Sequence, residues 1–130
     1  MINNAFRYVK TEVFGEKLVE DTGNHYVLIG QSPFRGKTDE NGKTILQEGA
    51  KVRLQIMEDK SEPMFDKQTG EVKENNTLET FEATIVGVSY PLPFAKGTVV
   101  SLGNFLVDNS YYIDFNFVLR FDGIYEYKEK

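Results

Sequence analysis

Tyr111-Tyr-Ile-Asp-Phe-Asn-Phe-Val-Leu-Arg-Phe121 is the stretch that decides the fold class. Ile113, Phe115, Phe117, Leu119 and Phe121 fall at every second position, with Tyr112, Asp114, Asn116, Val118 and Arg120 between them. A period of two over ten residues predicts a β-strand with one buried face and one wetter face. A helix would scatter the five apolar residues around its circumference.

Working outward, the same signal recurs. Thr98–Val107 pairs with this strand in a final hairpin around Asp108-Asn-Ser, and Tyr125-Glu-Tyr-Lys adds a short tail strand. Tyr90-Pro-Leu-Pro-Phe94 is a crossing loop, because two prolines lack the amide a central ladder needs. In Thr77–Val88, Phe81, Ala83 and Ile85 face one way and Thr80, Glu82 and Thr84 the other. Asp66-Lys-Gln-Thr-Gly70 has the chemistry of a hairpin tip, with glycine where a positive φ is required.

Lys51–Met57 alternates cleanly, Val52, Leu54 and Ile56 against Lys51, Arg53, Gln55 and Met57. Before it, Gln31–Gly49 reads as a long polar connection whose Asn41-Gly42 pair marks a tight turn. His25–Gly30 contains a buried apolar strand. Ala5–Phe14 alternates loosely, and Lys17–Glu20 resumes the strand after Gly15. No helix of normal length with a 3.6-residue apolar stripe is evident. Six to eight alternating strands predict an all-β domain, a small closed barrel or a sandwich, since an open sheet exposes its edges.

At 130 residues the chain reads as one domain over 1–130, large enough to bury a core without disulfides or metal. Cysteine is absent, which excludes disulfides and cysteine-ligated metal and suits a reducing compartment. The single histidine, His25, reads as a structural histidine rather than a general base. Asp114, Asp122 and Glu126 follow no metal-ligand spacing. The N-terminus lacks a basic segment followed by an apolar core, and no apolar run reaches the roughly 18 residues of a membrane helix. The expectation is a soluble, cytoplasmic protein with no cofactor, no membrane partner and no enzymatic activity.

The net charge of −5 is uneven. Residues 31–53 carry five cations against three carboxylates, a local +2, and residues 58–82 carry eight carboxylates against three lysines, a local −5. An acidic total disfavours strong non-specific binding to a polyanion, but leaves room for a basic groove on one side.

From residue 50 onward the order of elements resembles the OB fold, the five-stranded Greek-key barrel of single-stranded DNA-binding proteins. Val52–Met57, the Asp66–Val72 tip and Thr80–Val88 look like its second and third strands. Lys96-Gly-Thr-Val-Val-Ser-Leu-Gly-Asn-Phe-Leu106 looks like the fourth strand, and Tyr111–Ile124 like the closing one. Val13-Phe-Gly-Glu-Lys-Leu18, with the Phe121-Asp-Gly-Ile124 passage, is similar to small proteins of conjugative transposons and plasmids of Gram-positive bacteria. Phages are a further source of such proteins. The resemblance implies an OB-like barrel with an extra N-terminal strand or hairpin, residues 1–24 packing on it. It also implies binding of single-stranded DNA with little sequence specificity, in conjugation, replication or phage DNA metabolism. RNA as ligand, and a homo-oligomer through strand edges or the hairpin, stay open. The chain departs from the family in having no tryptophan, no helix between the third and fourth strands, an acidic second hairpin and no acidic tail.

Single strands are held by stacking on aromatic rings and by cations along the backbone. Four groups of residues fit that chemistry. Phe34, Arg35 and Lys37 place a ring and two cations in an inter-strand loop, unless Phe34 folds back onto the barrel. Lys51, Arg53 and Gln55 line one strand face at about 7 Å spacing. Phe65 and Lys67 sit at the hairpin tip, which serves subunit pairing equally well. Tyr90, Phe94 and Lys96 lie in the proline-rich loop, with Tyr112 and Arg120 on the wetter face of the closing strand. The rival reading is a protein-binding module or inhibitor whose acidic 58–82 segment meets a basic partner.

Overall fold

The computed structural model describes residues 2–3, 14–113 and 116–128. In chain order these form α1 (Gly15–Asp21), β1 (Tyr26–Phe34), β2 (Lys37–Thr38), β3 (Thr44–Leu46), β4 (Gly49–Ile56) and β5 (Thr80–Val86). Then follow β6 (Val99–Leu102), a 3-10 turn at Val107–Asn109, β7 (Tyr111–Ile113), β8 (Asn116–Phe121) and β9 (Ile124–Glu126). Seven strands make one mixed sheet in the order β7-β8-β5-β4-β1-β6-β9, and β2 and β3 form a separate ribbon. All pairings are antiparallel except β5 with β8. The fold is thus β-rich, as the alternation predicts.

β4 follows its sequence closely. Val52, Leu54 and Ile56 are buried while Lys51 and Arg53 are exposed. Register with β5 puts Val52 opposite Ala83 and Leu54 opposite Phe81, so the two inward faces meet. The core gathers on this side, with Tyr26 and Leu28 of β1, Val100 of β6 and Leu119 and Phe121 of β8. Tyr26 meets Phe81 edge to face at 5.1 Å, a geometry that the quadrupoles of the two rings favour. Leu92 of the proline-rich loop joins the same cluster, and Gln31 ties that loop to β1 by accepting the Leu92 amide at 2.7 Å.

Several expectations are corrected. The sheet is not closed into a barrel: β7 and β9 are its edges. At one point the chain after β6 does reach β8. Phe105 bridges Phe121, the Leu106 amide donates to Arg120 O at 2.8 Å, and the Asp122 amide donates to Asn104 O at 3.1 Å. The decisive stretch is two strands rather than one. Tyr111 lies opposite Val118 and Tyr112 opposite Phe117, so the chain doubles back. Alternation reports which residues share a face but carries no mark of a reversal between two alternating halves. The partner expected for it, Thr98–Val107, pairs mainly with β1 and β9 instead.

Lys17–Glu20 is helical. Its residues are good helix formers, Lys17 and Asp21 pair at 3.0 Å one turn apart, and Leu18 and Thr22 bury one face. Two turns are too short to print a 3.6-residue stripe. The strand expected over Ala5–Phe14 lies, except for Phe14, outside the described residues.

β1 runs on through Phe34, where a polar connection was expected. A bulge between Leu28 and Gly30 carries it past the irregularity, and Pro33 is tolerated opposite Ala50 because β6 pairs only with Tyr26 and Val27, leaving that end a sheet edge. The two turn predictions hold. Gly42 and Gly70 have φ of 80° and 72°. Asp66 Oδ1 accepts the Gln68 and Thr69 amides, which hold its carboxyl below the ordinary range, with a smaller contribution from Lys73. Phe65 and Val72 pair across the resulting ribbon.

Candidate functional site

The outward face of the sheet is where the candidate residues converge. Lys51 of β4 is in register with Ser32 of β1 on one side and Thr84 of β5 on the other, and Thr84 is in register with Arg120 of β8. Four side chains on four adjacent strands therefore form a row of about 14 Å, at roughly 4.8 Å per strand. One step along, Gly30, Arg53 and Glu82 make the next row.

Two walls turn this face into a cleft of about 270 Å³. The end of β1 and the start of the β2–β3 ribbon bring Phe34 and Lys37, and β7 brings Tyr111; Lys51, Thr84 and Arg120 form the floor. A second hollow of about 250 Å³ adjoins it, sharing Lys51 and Glu82 and adding Arg53. Lys37, Lys51 and Arg53 are exposed and have no ion-pair partner among the described residues.

Arg120 is the unusual residue. It is only 6% exposed, although the alternation placed it on the wetter face. Its guanidinium lies 5.9 Å from the Phe34 ring centre and 5.5 Å from that of Tyr111, within the range of a cation–π attraction. One terminal nitrogen, Nη1, donates to Asn109 O at 2.6 Å. Its Nε is buried with no hydrogen-bond partner among the described residues, and no carboxylate pairs with it there. Burying a cation without a counter-charge is costly, so an anion entering this cleft meets a floor that already favours it.

Four of the thirteen candidates, Phe34, Lys37, Lys51 and Arg120, line the cleft, and Arg53 lines the hollow beside it. Phe34 is not a loop residue. It ends β1 and is 9% exposed, covered on the outer face rather than in the core cluster. Arg35 is exposed next to it and outside the cleft lining. Gln55 is on the right face, but its amide is engaged with Leu78 O at 3.1 Å.

The remaining candidates lie elsewhere. Phe65, 59% exposed, and Lys67 belong to the acidic ribbon. Tyr90, Phe94 and Lys96 belong to the loop that carries Leu92 into the core, and Phe94 packs against that core. Tyr112 is corrected: it packs on Phe117 at 4.8 Å and against the core, away from Arg120. The reversal between β7 and β8 puts its neighbour Tyr111 beside Arg120 instead.

Glu82, Thr84, Tyr111, Phe117, Val118 and Leu119 also line the cleft and are not among the candidates from sequence. The outward face of Glu82 and Thr84 was legible from alternation, but not that β5 lies between β4 and β8. Larger hollows of about 450 and 530 Å³ run along α1 and Phe105, lined by none of the candidates. His25 is held by Gly23 O at 3.1 Å, Glu58 at 3.6 Å and the Tyr127 ring. Among the described residues no cluster of His, Asp or Glu has metal-binding geometry, and no helix is long and apolar enough to cross a membrane. Comparison with known proteins found no matching family, no matching curated protein and no matching solved structure.

Proposed function

We propose that this chain is an OB-type protein that binds single-stranded DNA with little sequence preference along the cleft between Phe34 and Tyr111. The fold part of the reading is supported by strand order. β1, β4, β5, β8 and the chain around β6 follow one another in a circuit, with β5 and β8 parallel and the Phe105–Phe121 bridge bringing the last two together. This order resembles that of the OB barrel, whose second- and third-strand face and flanking loops take oligonucleotides, although the sheet here stays open at β7 and β9.

The single observation that carries the functional part is Arg120, a buried guanidinium without a counter-charge among the described residues, flanked by two rings in a cleft that Lys37 and Lys51 also line. Cations in a row serve a phosphate backbone. The 41%-exposed Tyr111 ring offers a stacking surface worth about 1–3 kcal/mol per base.

The test is fluorescence anisotropy with labelled dT15 at 50 and 200 mM salt. Four cations give a slope near −3, from about −0.7 per phosphate contact, so affinity falls roughly 50-fold across that range. Lys51→Ala removes about 0.7 from the slope. Duplex DNA bound as well as or better than the single strand defeats the reading.

The acidic ribbon supports a second reading, docking of a basic protein partner. Phe65 and Val72 face each other across it and are 59% and 63% exposed. Titration with a basic protein in competition with dT15 separates the two: Phe65→Ser weakens only the protein complex.

A further inference from the structure

One group in the cleft is wrong for a phosphate. Glu82 is exposed on the outer face of β5, borders both hollows and is in register with Arg53. Yet it makes no ion pair and no side-chain hydrogen bond among the described residues. A carboxylate accepts hydrogen bonds and donates none, and it repels phosphate oxygens. Its use in a cationic groove is therefore toward a donor on the ligand.

Building on the single-strand reading above, we infer that Glu82 reads a base edge and gives the groove a preference for guanine at one position. Unpaired bases present their Watson–Crick edges. Guanine alone has two adjacent N–H donors there, on the ring N1 and the exocyclic N2, and these match the two oxygens of a carboxylate as a bidentate pair. Cytosine and adenine each set an amino group beside an acceptor nitrogen. Thymine sets one N–H between two carbonyl oxygens, which a carboxylate repels.

The neighbours suit this assignment. Thr84 lies two residues along the same strand and lines the same cleft. Tyr111 lines the same cleft and offers an exposed ring on which the base stacks. Lys51 and Arg53, on the adjoining strand, stay free for the flanking phosphates.

The experiment compares dT15 with versions carrying one central dG, dC or deoxyinosine, the last lacking the N2 amine. The dG oligonucleotide binds at least about fivefold more tightly than dT15, with deoxyinosine between them. Glu82→Ala and Glu82→Gln, each checked for an unchanged melting temperature, bind dG and dT alike, and Glu82→Ala binds dT15 more tightly than the parent because a repelling charge is gone. Equal binding of all four oligonucleotides by the parent, or a dG preference that survives in Glu82→Ala, overturns the assignment. Failure to bind any of them at low salt overturns the single-strand reading itself, and this assignment with it.

Discussion

Replacing Arg120 by methionine separates a functional buried cation from a structural one. Methionine keeps the length and apolar volume of the stem while removing the charge and the fork. The substitution forfeits two ring contacts, at 5.9 and 5.5 Å, worth about 1 kcal/mol each. It also loses the bond to Asn109 O, about 2 kcal/mol for a charged donor. Against this loss of about 4 kcal/mol stands one gain: a guanidinium with an unpartnered Nε and no counter-charge among the described residues no longer has to be desolvated, worth several kcal/mol. The terms nearly cancel, so the stability change stays within about 2 kcal/mol, or roughly 8 °C in melting temperature for a chain of this size. Affinity for dT15 behaves differently and falls about 10- to 100-fold, the value of one charge-assisted contact. Circular-dichroism melts and anisotropy on the same preparation read both quantities. A melting temperature lowered by more than about 15 °C makes Arg120 a structural strut. A stable variant that binds dT15 like the parent refutes the claim that the cleft floor recruits the anion.

Burial pushes the Tyr26 phenol up to about 12, the Thr22 hydroxyl opposing only in part. The folded state therefore holds this proton more tightly than the unfolded chain, whose tyrosine titrates near 10. Stability from this group is intact below pH 10 and is lost as the pH rises toward 12, by up to about 2–3 kcal/mol; urea melts at pH 9 and 11.5 measure it, and Tyr26→Phe flattens the difference. Gly49 starts β4 opposite Val86, where a Cβ would overlap the Ile85 carbonyl oxygen. Gly49→Ala consequently forces the β4–β5 pairing apart and lowers stability by at least about 2 kcal/mol in urea titration, and an alanine variant as stable as the parent contradicts that packing.

What could be read from sequence was the local part of the problem. Val52, Leu54 and Ile56 inside against Lys51 and Arg53 outside follows from a period of two within one strand, and the structure keeps that division. Gly70 at its ribbon tip follows from turn chemistry in five residues. Apart from Lys17–Glu20, helical in α1 where a strand is expected, the failures are questions of which strand neighbours which. Tyr112 was assigned to the face of Arg120 because nothing in Tyr111–Phe121 marks where the chain doubles back. Phe34 was placed in a loop because Gln31, Ser32 and Pro33 lack apolar alternation, and only the pairing of β1 with β4 keeps them extended. The site itself was half legible: its cations sit on recognisable strand faces, but the row Ser32–Lys51–Thr84–Arg120 exists only through long-range register.

An acidic chain offering a site to a polyanion calls for an electrostatic reason, and the sheet supplies one. Lys51 and Ile56 lie five residues apart on β4, about 16 Å along the strand, and the acidic segment begins beyond Ile56, at Glu58. At 0.15 M salt the screening length is about 8 Å, so carboxylates leaving that end of β4 are felt only weakly at Lys51. The polar knot at the ribbon base preserves this separation: the Asn76 amide donates to Asp59 at 2.9 Å, and the Lys60 amide donates to Asp21 O at 2.7 Å. Within the cleft the balance reverses, four cations against the one carboxylate of Glu82. Net charge therefore governs how this protein behaves toward a distant polyanion, whereas the groove responds most to the charges that line it, and among the described residues those are positive on balance.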